Sequence, residues 1–160
     1  KEHTDWVIMQ KMLEVDVKGG ESLLLHVDDW QNLGKFYNHK LAKEDIQWGS
    51  PPSKNVGYKT YHPVFLKEQK KGEPRMSFID QFAEPLNIEQ GLYLYEVGES
   101  LESETNMFGV GLCEGSMLII NNYFWLHGRD KFIAEKNLHR ELLRQRGAFI
   151  ENALVEQKAV

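Results

Sequence analysis

"LHRELLRQR", at Leu138–Arg146, reads equally well as two different structures, and the fold turns on the choice. As a helix it puts Arg140 and Arg144 on one face; as a strand it puts Arg144 and Arg146 on one face, two residues apart. Leu, Arg, Glu and Gln are good helix formers, so propensity alone favours the helix. The charge around the stretch points elsewhere. From His127 to Arg146 there are six Lys/Arg (Arg129, Lys131, Lys136, Arg140, Arg144, Arg146) against three acids (Asp130, Glu135, Glu141), in a chain whose net charge is -5. A local cationic surplus in an acidic chain fits either an anion site or a solvated helix face.

Outward from that stretch, the 160 residues are 41% hydrophobic and 27% charged, the composition of a globular domain. A sequence pI near 5.7 provides no global basic field, so nucleic acid is not expected as a partner. Apolar runs such as Met117–Ile120 are far short of the ~20 residues a bilayer span requires. A single cysteine, Cys113, rules out an internal disulfide and any multi-cysteine zinc site. These features predict a cytoplasmic protein with no membrane contact. The abrupt start, Lys1-Glu2-His3-Thr4-Asp5-Trp6 running straight into apolar sequence, suggests a piece of a longer chain.

Neither repeats nor a composition shift marks an internal domain boundary. Strands are predicted at Trp6–Val15, Ser22–Val27, Tyr61–Leu66, Met76–Phe82 and Phe108–Leu112, and one continuous buried strand over Met117–Trp125. Trp30, Leu33, Phe36, Tyr37 and Leu41 are spaced as a short amphipathic helix capped by Asp28 or Asp29, and 88–104 as a second helix weakened by Gly91 and Gly98. The expected class is mainly β with inserted helices, a sandwich or barrel.

Two H-x-D triplets occur, His3-Thr4-Asp5 and His26-Val27-Asp28. On a strand, residues i and i+2 project to one side, about 6.5 to 7 Å apart, so an imidazole and a carboxylate can converge on one ion. With a remote histidine they make a facial triad that leaves coordination positions open. Asp28 has a structural role available as a cap, which leaves His3 and Asp5 as the candidate pair. His127, 124 residues beyond His3 and preceded by the polar Asn121 and Asn122, is the candidate third donor. His39, His62 and His139 have no carboxylate at a matching spacing and are expected to be packed or solvated.

Together "HTDW" (3–6), "GGESLLLHVDDW" (19–30), "NNYFWLHGRDKF" (121–132) and "LHRELLRQRGAF" (138–149) resemble the iron(II)/2-oxoglutarate-dependent oxygenases. Within them the match is to the carbon-starvation-induced glutarate 2-hydroxylase family, relatives of taurine dioxygenase. The resemblance spans essentially the whole chain. It implies a double-stranded β-helix (jelly roll), of which residues 1–160 are the C-terminal part of one oxygenase domain, the N-terminal portion being absent. It also implies Fe(II) held by His3, Asp5 and His127. Ser22 would contact a carboxylate of the cosubstrate 2-oxoglutarate, Arg146 would clamp its distal carboxylate, and Arg144 would hold the second dicarboxylate. The implied reaction uses dioxygen to hydroxylate glutarate at C2, giving the L form of 2-hydroxyglutarate with succinate and CO2 released, in lysine degradation. A homo-oligomer, a tetramer by analogy, is implied as well. The rival expectations are a hydroxylase of another small acid and a binding protein on the same fold.

Two arginines make physical sense beside this reading. Glutarate and 2-oxoglutarate are both dianions, and a dry site must pair each remote carboxylate or forfeit its hydration. The guanidinium fork matches a carboxylate, each charge-assisted bond contributing about 1.5 to 3 kcal/mol.

Overall fold

The contested stretch is a strand. In the computed structural model, which describes residues 4–50 and 58–149 and leaves the side chains at 17 and 134–136 undescribed, β1 (Trp6–Gly19) and β2 (Ser22–His26) come first, followed by a 3-10 turn at Val27–Asp29. Next are α1 (Leu33–Tyr37), β3 (Ile46–Trp48), β4 (Thr60–His62), β5 (Phe65–Leu66) and β6 (Arg75–Met76). A second 3-10 turn, Asp80–Phe82, leads to β7 (Ala83–Glu84) and α2 (Ile88–Glu102). The chain ends in β8 (Phe108–Val110), β9 (Met117–Asn121), β10 (Trp125–Arg129) and β11 (Phe132–Gly147).

The described residues form two compact units, although no repeat or composition shift divides the chain. One comprises the described residues up to Leu25 and those from Met107 onward; the other is His26–Asn106. The first is a pair of three-stranded sheets, in the orders β11-β1-β9 and β10-β2-β8. Their facing sides make one core, with Val7, Leu24 and Ile120 buried and Met9, Val110, Leu118 and Trp125 packed around them. This sandwich is the jelly-roll half that was expected.

Register explains why β11 is not a helix. It pairs with β1 antiparallel from Trp6↔Gly147 to Gly19↔Phe132. Helix propensity differences among ordinary residues reach only about 0.7 kcal/mol each. Each ladder bond contributes about 0.5–1.5 kcal/mol, and an unpaired buried backbone group costs about 1–3 kcal/mol. A helix at Leu138–Arg146 would strip β1 of its partner beyond Gln10, where its pairing with β9 stops. Tertiary pairing therefore outweighs local preference.

At the end of this ladder Gly147 lies under the Trp6 indole. A Cβ there would meet Trp6 Cζ2 at 2.2 Å and Cε2 at 2.7 Å. Gly147→Ala is expected to lower the thermal midpoint, since overpacking of this kind costs about 1–3 kcal/mol; an unchanged midpoint would show that the ring swings aside at no cost.

The second unit has its own core of Trp30, Phe36, Ile46, Trp48, Phe65, Tyr93 and Val97, with Trp30 stacked on Phe36 at 5.0 Å. Its α2 is capped by Asn87, whose side chain accepts from the Gln90 amide. That self-sufficient core is why the segment forms a unit of its own, a property no composition shift announces.

Several local expectations need correction. The helix after Asp29 is only Leu33–Tyr37, and neither aspartate caps it: both lie within the 3-10 turn, where the His26 side chain accepts from the Asp28 amide. The strands expected at Tyr61–Leu66 and Met76–Phe82 are short pieces, interrupted by Pro63 and by the Asp80–Phe82 turn. The single strand over Met117–Trp125 is instead β9 and the start of β10, joined by a turn in which Asn121 Oδ1 accepts from the Tyr123 amide. An asparagine side chain that bonds its own backbone, as Asn121 does here, competes with the extended chain and ends the strand.

Candidate metal centre and anion site

Residues directly opposite each other in an antiparallel pair point to the same face. Val7 pairs with Ile120 and Met9 with Leu118, so these four face the second sheet. On the other side of β1, Val7 pairs with Arg146 and Met9 with Arg144. Both arginines therefore rise from the core-facing side of β11, at its solvent-exposed rim. Alternation continues this face back to Asp5 and along β11 to Arg140.

Asp5 is buried, 2% exposed. Its amide donates to the Gly147 carbonyl (2.8 Å), and its Oδ2 accepts from the Phe149 amide (2.6 Å). His3 lies outside the described residues. His127, in the middle of β10, presents Nε2 to Arg144 Nη2 at 3.4 Å. Burial, and then the Arg144 charge, hold the imidazole below its ordinary pKa, while a hydrogen bond to the Trp125 backbone favours the protonated ring. Nε2 is the ring nitrogen that faces the guanidinium. Arg144 is itself pushed down by burial and by Arg146. A neutral imidazole and a buried carboxylate are donors that suit a hard-to-borderline divalent ion such as Fe(II). Among the described residues no group of three His, Cys, Asp or Glu surrounds a common point, so the triad's completion depends on His3.

Arg140 is the residue that sequence reasoning left out. Its side chain is 7% exposed and its Nε lies 3.4 Å from Glu14 Oε2, yet that buried nitrogen has no hydrogen-bond partner. Its Nη1 donates to the Gly20 carbonyl. Burial and then Arg129 lower its pKa, with Glu14 opposing. Glu14 also serves buried Lys11, whose Nζ is 2.6 Å from Oε1, so one carboxylate is shared between two cations. Gly20 has φ +71°, and a Cβ there would meet Arg140 Nη1 at 2.8 Å. Ser22, also buried, stands two residues beyond Gly20. The structure thus gathers Arg140 and Arg129 about Gly20 at one end, and His127 and Arg144 further along. Six residues of strand at about 3.3 Å each separate Arg146 from Arg140 by roughly 20 Å. The missed signal was available: in the strand reading Arg140, Arg144 and Arg146 all fall on one face.

Three of the remaining histidines have structural surroundings, and His139 is exposed. His26 Nδ1 lies 3.7 Å from Asp28 Oδ2, His39 stacks on Tyr93 at 4.6 Å, and His62 stacks on Trp48 at 4.9 Å.

Comparison with known proteins fits this geometry. The CsiD family profile matches residues 1–149. Proteins named glutarate 2-hydroxylase from Salmonella typhimurium (strain LT2) and Citrobacter koseri are each 48% identical over 149 residues, covering 93% of this chain and 46% of theirs. The chain thus spans about half the length of these curated relatives. Among solved structures, asparagine oxygenase with Fe(II), hydroxyasparagine and succinate superposes with a TM-score of 0.72 at 16% identity, over 92% of this chain and 46% of that one. The non-heme iron oxygenase OrfP with Fe and alpha-ketoglutaric acid superposes at 0.62 and 17% identity, over 90% and 44%. At such identities the likeness establishes the fold.

Proposed function

The chain belongs to the CsiD family, and from that premise we propose that the protein carrying it hydroxylates glutarate at C2 with Fe(II), 2-oxoglutarate and dioxygen, releasing succinate and CO2. The observation that supports the reading is that the core-facing side of β1 and β11 carries buried Asp5 together with Arg140, Arg144 and Arg146, and that His127 of the opposite sheet lies against Arg144. His3, Asp5 and His127 would hold the iron, and iron when bound supplies the oxidising chemistry that no side chain can.

The chain's own contribution is placement and charge. Asp5 offers a carboxylate whose second oxygen the Phe149 amide already restrains. His127, kept neutral by burial and Arg144, keeps its Nε2 lone pair for a metal. Arg140 with Ser22 would bind the distal carboxylate of 2-oxoglutarate, because a buried guanidinium that shares Glu14 with Lys11 leaves a positive interior for a dianion to neutralise. Arg144, next to His127, would hold the substrate carboxylate. Arg146 stands further out, and the family resemblance gives it the same distal carboxylate, so Arg140 and Arg146 are rival candidates for one role. These sites favour small dianions over cationic or nucleic-acid ligands.

The full-length protein with Fe(II) and 2-oxoglutarate is expected to form succinate and 2-hydroxyglutarate in equal amounts when glutarate is present. Iron binding without 2-oxoglutarate turnover would instead indicate a binding protein. Turnover driven better by another small acid would keep the chemistry and change the substrate, a reading favoured by the fact that half of the relatives' length lies outside this chain. No helix among the described residues is long and apolar enough to cross a membrane; a cytoplasmic homo-oligomer remains part of the proposal.

A further inference from the structure

We propose that Asn122 is a positioning residue for the metal centre, fixing the direction in which Asp5 presents its carboxylate and tying it to the strand that bears His127. The inference rests on the metal-site reading above. Asn122 lies in the turn between β9 and β10, five residues before His127. Its backbone amide donates to the Asp5 carbonyl at 2.9 Å, and its side-chain Nδ2 donates to the Thr4 carbonyl at 3.0 Å.

Those two carbonyls belong to the peptide planes on either side of the Asp5 Cα. Each plane is rigid, so gripping both fixes φ and ψ of Asp5 and with them its Cα–Cβ direction. On the opposite side the Asp5 amide donates to Gly147 and its carboxylate accepts from Phe149. The candidate ligand is thus held between β11 and the β9–β10 turn, and the same turn leads directly into His127. A turn asparagine commonly bonds its own local backbone, as Asn121 does here. The Asn122 side chain instead reaches 118 residues back along the chain to the ligand segment. Only an amide supplies an N–H at that reach without charge; an aspartate would set an anionic oxygen against the Thr4 carbonyl.

The test uses the full-length protein and Mn(II) as probe. Asn122→Asp, nearly isosteric, is expected to weaken Mn(II) binding by about 10- to 100-fold, the range for losing a partner that orients a metal ligand. At saturating iron the KM for 2-oxoglutarate should stay within about twofold of wild type, because the carboxylate clamp is untouched. The Co(II)-substituted variant should show an altered absorption envelope, which a purely structural role would not produce. Asn122→Ala carries the same expectation for affinity, without added charge. His127→Ala separates the two levels of argument: if it binds Mn(II) like wild type, the metal-site reading itself fails. If His127→Ala loses the ion while both Asn122 variants keep wild-type affinity, the positioning role is overturned. Failure of both Asn122 variants to fold without metal would also overturn it, by making Asn122 a folding residue.

Discussion

His127→Ala is expected to abolish glutarate-dependent succinate formation and to weaken iron binding by more than about a hundredfold, since loss of a partner that merely orients a ligand already costs 10- to 100-fold. The imidazole is neutral for reasons built into the strand: burial first, then the Arg144 charge. Alanine there leaves Asp5 as the described residue of the proposed triad, with Arg144 Nη2 facing a gap where Nε2 stood at 3.4 Å. Metal titration followed by a succinate assay reads both effects. A variant with wild-type affinity and rate would remove His127 from the centre and leave the sandwich without its defining chemistry.

Arg140→Ala is expected to raise the KM for 2-oxoglutarate by about a hundredfold, from loss of one or two charge-assisted bonds at about 1.5–3 kcal/mol each. The KM for glutarate should move far less, whereas Arg144→Ala should show the reverse pattern. Arg140→Lys keeps the charge but not the planar fork, and should recover only part of the loss. Because Arg140 also bonds Gly20 and approaches Glu14, each variant's thermal midpoint has to accompany its kinetics. If Arg146→Ala raises the 2-oxoglutarate KM and Arg140→Ala does not, Arg140 is structural and the rim arginine is the clamp.

Much of the site was legible because its residue types are chemically constrained. A dianion needs guanidinium groups, and a facial triad needs an imidazole and a carboxylate two residues apart on a strand. The motifs around Asp5, Ser22, His127 and Arg144 therefore carried the functional reading before any fold was known. The choice among three arginines on one strand was less legible. Charge and spacing are nearly the same at 140, 144 and 146, and what distinguishes them is depth: Arg140 is covered, while Arg144 and Arg146 stand at the rim.

Asn122 shows the same limit more sharply. In sequence it is one of two asparagines in a polar cluster before His127, and its partners, Thr4 and Asp5, are more than a hundred residues away. Likewise Gly147 looks like an ordinary strand terminus until the Trp6 ring is found across it.

By itself, then, the sequence determined the alternation of apolar residues that makes strands, the helix expected over 88–104 and found at Ile88–Glu102, and the inventory of metal- and anion-binding groups. All are properties of short windows, set by local sterics and by the chemistry of single side chains. Only the tertiary structure decided that Leu138–Arg146 is a strand, that Met117–Arg129 is two strands about a turn, and which arginine is buried. Those outcomes depend on β1 offering an unpaired edge and on two sheets closing over a shared core, long-range contacts whose combined free energy exceeds the few tenths of a kcal/mol per residue by which local preference leaned the other way.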